Sequence, residues 1–275
     1  MCKTLYISDL DGTLLNRDAE LSEYAVSALN KMAADGIDFS VATARTLASA
    51  AKILAGVKWR IPLVLMSGVL IYDMGLQQYV QVHALLPETV TAVIDTLRRY
   101  ELTGFLYELN DGRFMVYYES LQQKPLRDFV EKRVARYYKT FQPIGSFYTI
   151  SPEHIIYVTL LDTRERLLPV YDALAALPGL NCVFYNDTYN PELWYLEMFS
   201  EKVSKENGVI FLREKYGFER VIGFGDNLND LPMFLACDVK VAVANAKEEV
   251  KAAADVICGT NEGDGVVKWV EANVY

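Results

Sequence analysis

The sequence predicts an α/β protein: a doubly wound parallel-sheet core encoded in two separated stretches, with a smaller α+β domain inserted between them. Three observations carry this expectation. Short apolar runs alternate with helix-period stretches from the N-terminus to about Val82, and the alternation resumes beyond Lys205. The stretch between them carries hairpin signals instead. Polar residues follow three of the predicted parallel strands, as Asp9-Leu10-Asp11, Thr43 and Gly225-Asp226. They lie at the carboxyl ends, where open α/β sheets bind ligands. The core is expected over 1–82 plus 200–275 and the insert over 83–199.

Taken in order, Leu5-Tyr6-Ile7 is a buried strand that runs into Asp9-Leu10-Asp11-Gly12-Thr13. Leu21, Ala25, Leu29 and Met32 recur at helical spacing, with Ser22 as the cap and Gly36 as the stop. A strand over 37–42 ends at Thr43-Ala44-Arg45, and a helix follows from about Thr46 to Ala55. Pro62 to Met66 reads as a third buried strand, broken at Ser67-Gly68, and a small hairpin turns around Gly75.

In the insert, a helix begins near Pro87 and two strands meet at Asn110-Asp111-Gly112, a strong short-hairpin signal. A charged helix covers about Gln122 to Tyr138. A strand over His154 to Leu161, a helix over Arg164 to Ala176, and strands near Asn181 to Tyr185 and Leu193 to Phe199 complete it. The core then resumes with a helix to about Lys215, a strand at Arg220 to Phe224, a helix from Leu228, a strand at Val239 to Val243 and a helix at Lys247 to Ala254.

Composition narrows the function classes. A chain of 275 residues with 52% hydrophobic residues can bury a large core. Its formal net charge of -9 argues against nucleic acid as a partner, because phosphate-backbone contacts need a surplus of Lys and Arg. No apolar run approaches a membrane span, and the start carries no signal-peptide pattern. Cys2, Cys182, Cys237 and Cys258 are scattered without a CxxC pair and read as reduced thiols of a cytoplasmic protein. The sequence specifies no oligomeric state.

The acid pair is the first chemistry to explain. On an extended strand, with its period of two, Asp9 and Asp11 point the same way, and Gly12 lets the backbone turn tightly behind them. They are close enough to share a metal or a proton. Buried charge is costly unless paired or metal-bound, so such a strand end invites a cation. The plain alternative is a strand followed by an Asp-Gly turn.

DLDGTL, then AT-x-R, then a lone Lys, then GDNLND, in that order, resembles the haloacid dehalogenase superfamily. The insert between the second and third motifs resembles the Cof-type hydrolases, mostly magnesium-dependent phosphatases of sugar phosphates and small phosphomonoesters. The resemblance implies a Rossmann-like core with an inserted cap as substrate-specificity lid. It implies Asp9 as nucleophile and Asp11 as general acid and base. Mg2+ would be held by Asp9, Asp11 through its backbone carbonyl, and Asp226, with Asp230 as ligand or support. Thr43, Arg45, Lys205 and Asn229 would contact the phosphate or orient the site.

Read without the family, the same residues keep other roles. Asp226 and Asp230 suit any helix N-terminus. Thr43 could be a helix cap, a role open also to Thr46. Lys205 has a rival in Lys202. Three departures from the family pattern stand out: Ala44 for a glycine, Ser67 where relatives carry Asn, and Ala244 before the Asn245-Ala246 pair.

The function expected from the resemblance is hydrolysis of small phosphomonoesters, sugar or polyol phosphates foremost, through an aspartyl-phosphate. A phosphomutase acting on a sugar phosphate is the alternative, and a non-catalytic binding module on the same fold is a further one. The insert holds 12 of the 18 tyrosines, with 11 Lys and Arg against 15 Asp and Glu. That balance disfavours substrates with several phosphates, each of which would need its own cation.

Overall fold

The computed structural model describes residues 3–137, 141–187 and 190–274, so Cys2 lies outside the described residues. Among these, β1 (Thr4–Ser8), α1 (Glu23–Ala34), β2 (Asp38–Val41) and α2 (Leu47–Leu54) open the chain. Ser22 caps α1 by accepting from the amide of Ala25 at 2.9 Å. β3 (Leu63–Leu65), β4 (Leu70–Asp73) and β5 (Gln78–Val82) form a separate three-stranded sheet. The third buried strand is present, but it pairs antiparallel with β4. It joins the end of β2 through a parallel bridge between Ala42 and Val64.

The chain continues with α3 (Pro87–Arg99), β6 (Phe105–Asn110), β7 (Arg113–Tyr118), α4 (Lys124–Tyr137), β8 (Phe141–Pro143), β9 (Ile155–Asp162), α5 (Arg164–Leu174), β10 (Leu180–Asn186) and β11 (Trp194–Ser200). It closes with α6 (Lys205–Tyr216), β12 (Arg220–Gly225), α7 (Leu231–Leu235), β13 (Val239–Ala242), α8 (Glu248–Ala253), β14 (Val256–Ile257) and α9 (Gly265–Val274). No helix of the described residues is long and apolar enough to cross a membrane.

The residues divide into two compact units, Met1–Gln81 with Ser204–Tyr275, and Val82–Val203. In the first, five strands run parallel in the order β14-β13-β12-β1-β2. β1 lies between β2 and β12: Ser8 is opposite Val41 of β2 on one side and Phe224 of β12 on the other. Chain connections diverge there, to β2 on one side and to the late strands on the other. A crevice at such a point is where this architecture places its ligands.

In the second unit a six-stranded sheet runs β10-β11-β9-β6-β7-β8, antiparallel except where β8 joins β7. The β6–β7 turn puts Asp111 (φ 48) and Gly112 (φ 77) in the left-handed region, as a two-residue hairpin requires. The core cluster joins Val93 of α3 and Leu167 of α5 with Leu106, Val158 and Leu196 of the sheet. These side chains are essentially excluded from water, each worth about 2 kcal/mol relative to exposure. The tyrosines largely pack on the sheet, Tyr107 edge-on to Tyr157 and Tyr185 stacked on Tyr195. Tyr157 and Tyr185 donate to the carboxylate of Glu197.

Candidate active site

β1 ends at Ser8, one residue before the first acid. The amide of Asp9 still bonds Phe224 O at 2.9 Å, which seats the residue between β2 and β12 with its side chain buried. Residues Leu10–Leu14 then form a tight turn closed by the Leu15 amide on Leu10 O at 2.9 Å. Asp11 therefore leaves the strand's alternation. Its carboxylate is 53% exposed and takes a bidentate grip from Arg45, Nε on Oδ2 at 2.7 Å and Nη2 on Oδ1 at 2.5 Å. The turn needs a glycine, because Gly12 has φ 78 and a Cβ there would stand 2.6 Å from Asp226 Oδ2.

Asp226 follows β12 directly and accepts from the Thr13 hydroxyl at 2.8 Å. Asp230 sits one short 3-10 turn later, fully buried; its Oδ2 accepts from the amides of Asp226 and Asn227 at 3.0 and 3.1 Å. Asn229 lies exposed in the same turn. Carboxylate oxygens of Asp9, Asp226 and Asp230 lie within 4.8 Å of one another.

Lys205 is the first residue of α6, whose start is capped by Ser204. Its ammonium is 2% exposed and donates to Asp9 Oδ1 at 2.6 Å and to Asp230 Oδ1 at 2.7 Å. Close packing sets the helix in place, since a Cβ on Gly68 would meet Ser204 O at 2.4 Å. The rival Lys202 is exposed and lies in the second unit, where its charge acts on His83.

Thr43 is buried at the end of β2. Its hydroxyl accepts from the Arg45 amide at 3.1 Å, and its carbonyl accepts from Ser67 at 2.9 Å. Met66 and Ser67 both adopt left-handed φ, 49 and 55, a conformation that Asn tolerates better than Ser.

Burial pushes Asp9 up to about 7; the Lys205 ammonium opposes that rise, and Asp230 and Asp226 add to it. Burial also raises Asp226, against the hydrogen bond from Thr13. Burial alone would lower Lys205, but the Asp9 and Asp230 carboxylates outweigh it and hold the ammonium charged above its ordinary range. Three carboxylates against one ammonium leave an excess of buried negative charge. A divalent cation with oxygen ligands would balance it, so the donor set fits magnesium.

The site thus gathers Asp9, Asp226, Asp230 and Lys205 at the centre, with Asp11 and Arg45 joined beside them and Thr43 at the neighbouring strand end. Two contributors were not singled out in the sequence. Thr13 was visible as the last letter of its pentapeptide, whereas Asn261, which bonds the Asp11 turn, carries no local signal.

A buried carboxylate and ammonium at the crevice of a parallel sheet define an α/β enzyme centre. The sequence pattern of the haloacid dehalogenase-like hydrolases matches residues 6–270, and the chain belongs to that family. It is 25% identical over 267 residues to the 5-amino-6-(5-phospho-D-ribitylamino)uracil phosphatase YitU of Bacillus subtilis, spanning 96% of this chain and 94% of that one. It is 22% identical over 286 residues to the pyridoxal phosphate phosphatase YbhA of Escherichia coli, spanning 97% of each. The crystal structure of a haloacid dehalogenase-like hydrolase from Bacteroides thetaiotaomicron shares the fold, with a TM-score of 0.81 at 24% identity over 99% of this chain and 100% of that one.

Proposed function

We propose that this protein is a magnesium-dependent phosphatase of small phosphomonoesters that works through an aspartyl-phosphate on Asp9. One observation carries the reading: a buried carboxylate at the sheet crevice, held by a buried ammonium at 2.6 Å, with two further carboxylates at its side. The relatives' names point the same way, since ribityl and pyridoxal phosphates each carry one terminal phosphate on a small body.

Lys205 engages Oδ1 of Asp9, so Oδ2 is the attacking oxygen. It forms a bond to phosphorus as the ester P–O bond breaks, and the leaving alkoxide takes a proton from Asp11. A water molecule then gives its proton to Asp11 and attacks the aspartyl-phosphate, which returns the Asp9 carboxylate and releases inorganic phosphate. Asp11 must be protonated for the first half, so its grip by Arg45 has to loosen when substrate enters. The substrate phosphate, a competing partner for a guanidinium, supplies the reason. Thr43 and Lys205 stabilise the equatorial oxygens. Asp9, the Asp11 carbonyl and Asp226 would hold the Mg2+, with Asp230 orienting Lys205 and the Asp226 amide. The ion supplies charge stabilisation to the phosphoryl group.

The expected result of chelation is complete loss of phosphate release, restored by Mg2+ and inhibited by Ca2+, whose looser shell would let Asp9 bind through both oxygens. A phosphate-release assay in EDTA, Mg2+ or Ca2+ checks this; full turnover in EDTA or with Ca2+ alone contradicts it. Phosphate release without isomer formation separates hydrolysis from a mutase.

The insert is read as the specificity-determining lid. Its acidic balance, 11 Lys and Arg against 15 Asp and Glu over 83–199, favours a neutral body with one phosphate. At fixed free Mg2+, kcat/KM is therefore expected to be higher for hexose or polyol phosphates than for nucleoside triphosphates or inositol polyphosphates. A clear preference for the polyphosphorylated compounds overturns this part.

A further inference from the structure

We infer that Asn245 and Asn261 are positioning residues for the reaction, clamping the Leu10–Leu14 turn from the far end of the chain. The inference rests on the aspartyl-phosphate reading, since it concerns how Asp11 and Thr13 are aimed.

Buried Leu10, Thr13 and Leu14 fix the inner side of the turn and Arg45 grips the Asp11 carboxylate, whereas the backbone from Gly12 to Leu15 is held from the far end of the chain. The side chain of Asp11 is half exposed, so packing does not fix it, and Asp11 (φ -72, ψ 118) and Gly12 (φ 78, ψ -6) depart from helical geometry within it. The Gly12 carbonyl accepts from Asn245 Nδ2 at 2.7 Å. Asn245 Oδ1 accepts from the Asn261 amide at 2.9 Å, and Asn261 Nδ2 donates to Leu15 O at 2.9 Å. The circuit closes over Gly12 to Leu15, and Arg17 extends it by donating its amide to Glu262 at 2.6 Å.

The polarity of this circuit explains the residue types. Both partners of Asn245 are backbone groups, one able only to accept and the other only to donate, so a side-chain amide in one orientation satisfies both. A carboxylate there would set an oxygen against the Gly12 carbonyl. The clamp is itself anchored. Asn245 follows β13, tied by the Ala244 amide on Gly259 O at 3.3 Å, and the turn at Asn261–Gly263 is capped by Thr260. What it holds is the Gly12–Thr13 peptide plane. A rotation there would carry the Thr13 hydroxyl off Asp226, which it meets at 2.8 Å, and redirect the Asp11 carboxylate.

The competing account is a tie between chain segments that serves stability alone. Asn30 makes the same kind of double bridge elsewhere, Nδ2 to Gly56 O at 2.9 Å and Oδ1 from the Lys58 amide at 2.8 Å, and so provides the control. The test compares Asn245→Asp, Asn261→Ala and Asn30→Ala by p-nitrophenyl phosphate turnover at saturating Mg2+ and by amide hydrogen exchange.

In the two clamp variants, kcat is expected to fall about 10- to 100-fold with KM within about twofold. Exchange over residues 10–16 should quicken while that of β1 stays slow. Asn30→Ala should keep the parent kcat. Parent-like kcat in both clamp variants, unchanged exchange over 10–16, or an equal fall in Asn30→Ala overturns the inference. If Asp9→Asn still turned over, the catalytic reading would fail instead. Exchange, which needs no turnover, would then decide alone whether the clamp holds the turn.

Discussion

Asp9→Asn is expected to fold, bind no phosphoryl group and release phosphate at least about 10^3-fold more slowly than the parent. An amide nitrogen or carbonyl cannot replace the carboxylate as nucleophile, and the remaining residues offer no substitute at that position. The fold should not suffer. Asp9 and Asp230 share the buried Lys205 ammonium and the Asp226 carboxylate lies within 4.8 Å of both, so the substitution removes one charge of an uncompensated excess.

The pH dependence of stability gives this a sign. Burial lifts the Asp9 carboxyl from 3.8 to about 7, so the folded chain keeps a proton there that the unfolded chain has lost. The stability tied to that proton is full below 3.8 and is lost as pH rises through about 7. In chelator at pH 8 the parent bears the whole cost and Asp9→Asn none. The variant should therefore melt at or above the parent there, with the difference shrinking toward pH 4. Mg2+ should raise the parent's Tm and the variant's less. Phosphate release near the parent rate sinks the nucleophile assignment; a Tm at pH 8 far below the parent's sinks the account of the charge excess.

What was legible beforehand was what local patterns encode. Ser22 announced α1, Asn110-Asp111-Gly112 announced the β6–β7 hairpin, and the apolar strands ending in acids announced the crevice. Features made by distant partners were not legible. β8 contains Pro143 and pairs with β7 for only three residues. β14 has just two residues, both exposed at the sheet edge, so neither carries a burial pattern. The third strand read correctly as buried, yet its partner is set by the left-handed turn at Met66 and Ser67, which reverses the chain into β4. In the site, the acids were visible as motifs. The hold of Arg45 on Asp11 was not, because it depends on the strand stopping at Ser8 and on where the following turn throws the side chain.

Lys205→Met carries the other large effect, on activity and stability together. Methionine matches the length of the lysine stem but removes the ammonium that meets Asp9 and Asp230 at 2.6 and 2.7 Å. Removing one partner of a buried ion pair costs about 3–5 kcal/mol, because the charges left behind have neither water nor a counter-ion. The loss should be greatest at high pH, where the Asp9 carboxylate is ionised, and fade as Asp9 takes up its proton on acidification. Phosphate release should fall by about 100-fold or more, since an ammonium no longer faces the phosphoryl oxygens.

The two effects separate in a double variant. Asp230→Asn can keep its amide oxygen on the Asp226 and Asn227 amides while turning Nδ2 toward Asp9, where Lys205 stood. Added to Lys205→Met, it should recover much of the Tm without recovering turnover. A cycle of the four proteins, followed by chemical denaturation and by phosphate release, measures both couplings. If Lys205→Met retains parent-like turnover, Lys205 has no part in the chemistry; if the double variant regains turnover along with stability, Lys205 serves only to hold the site together.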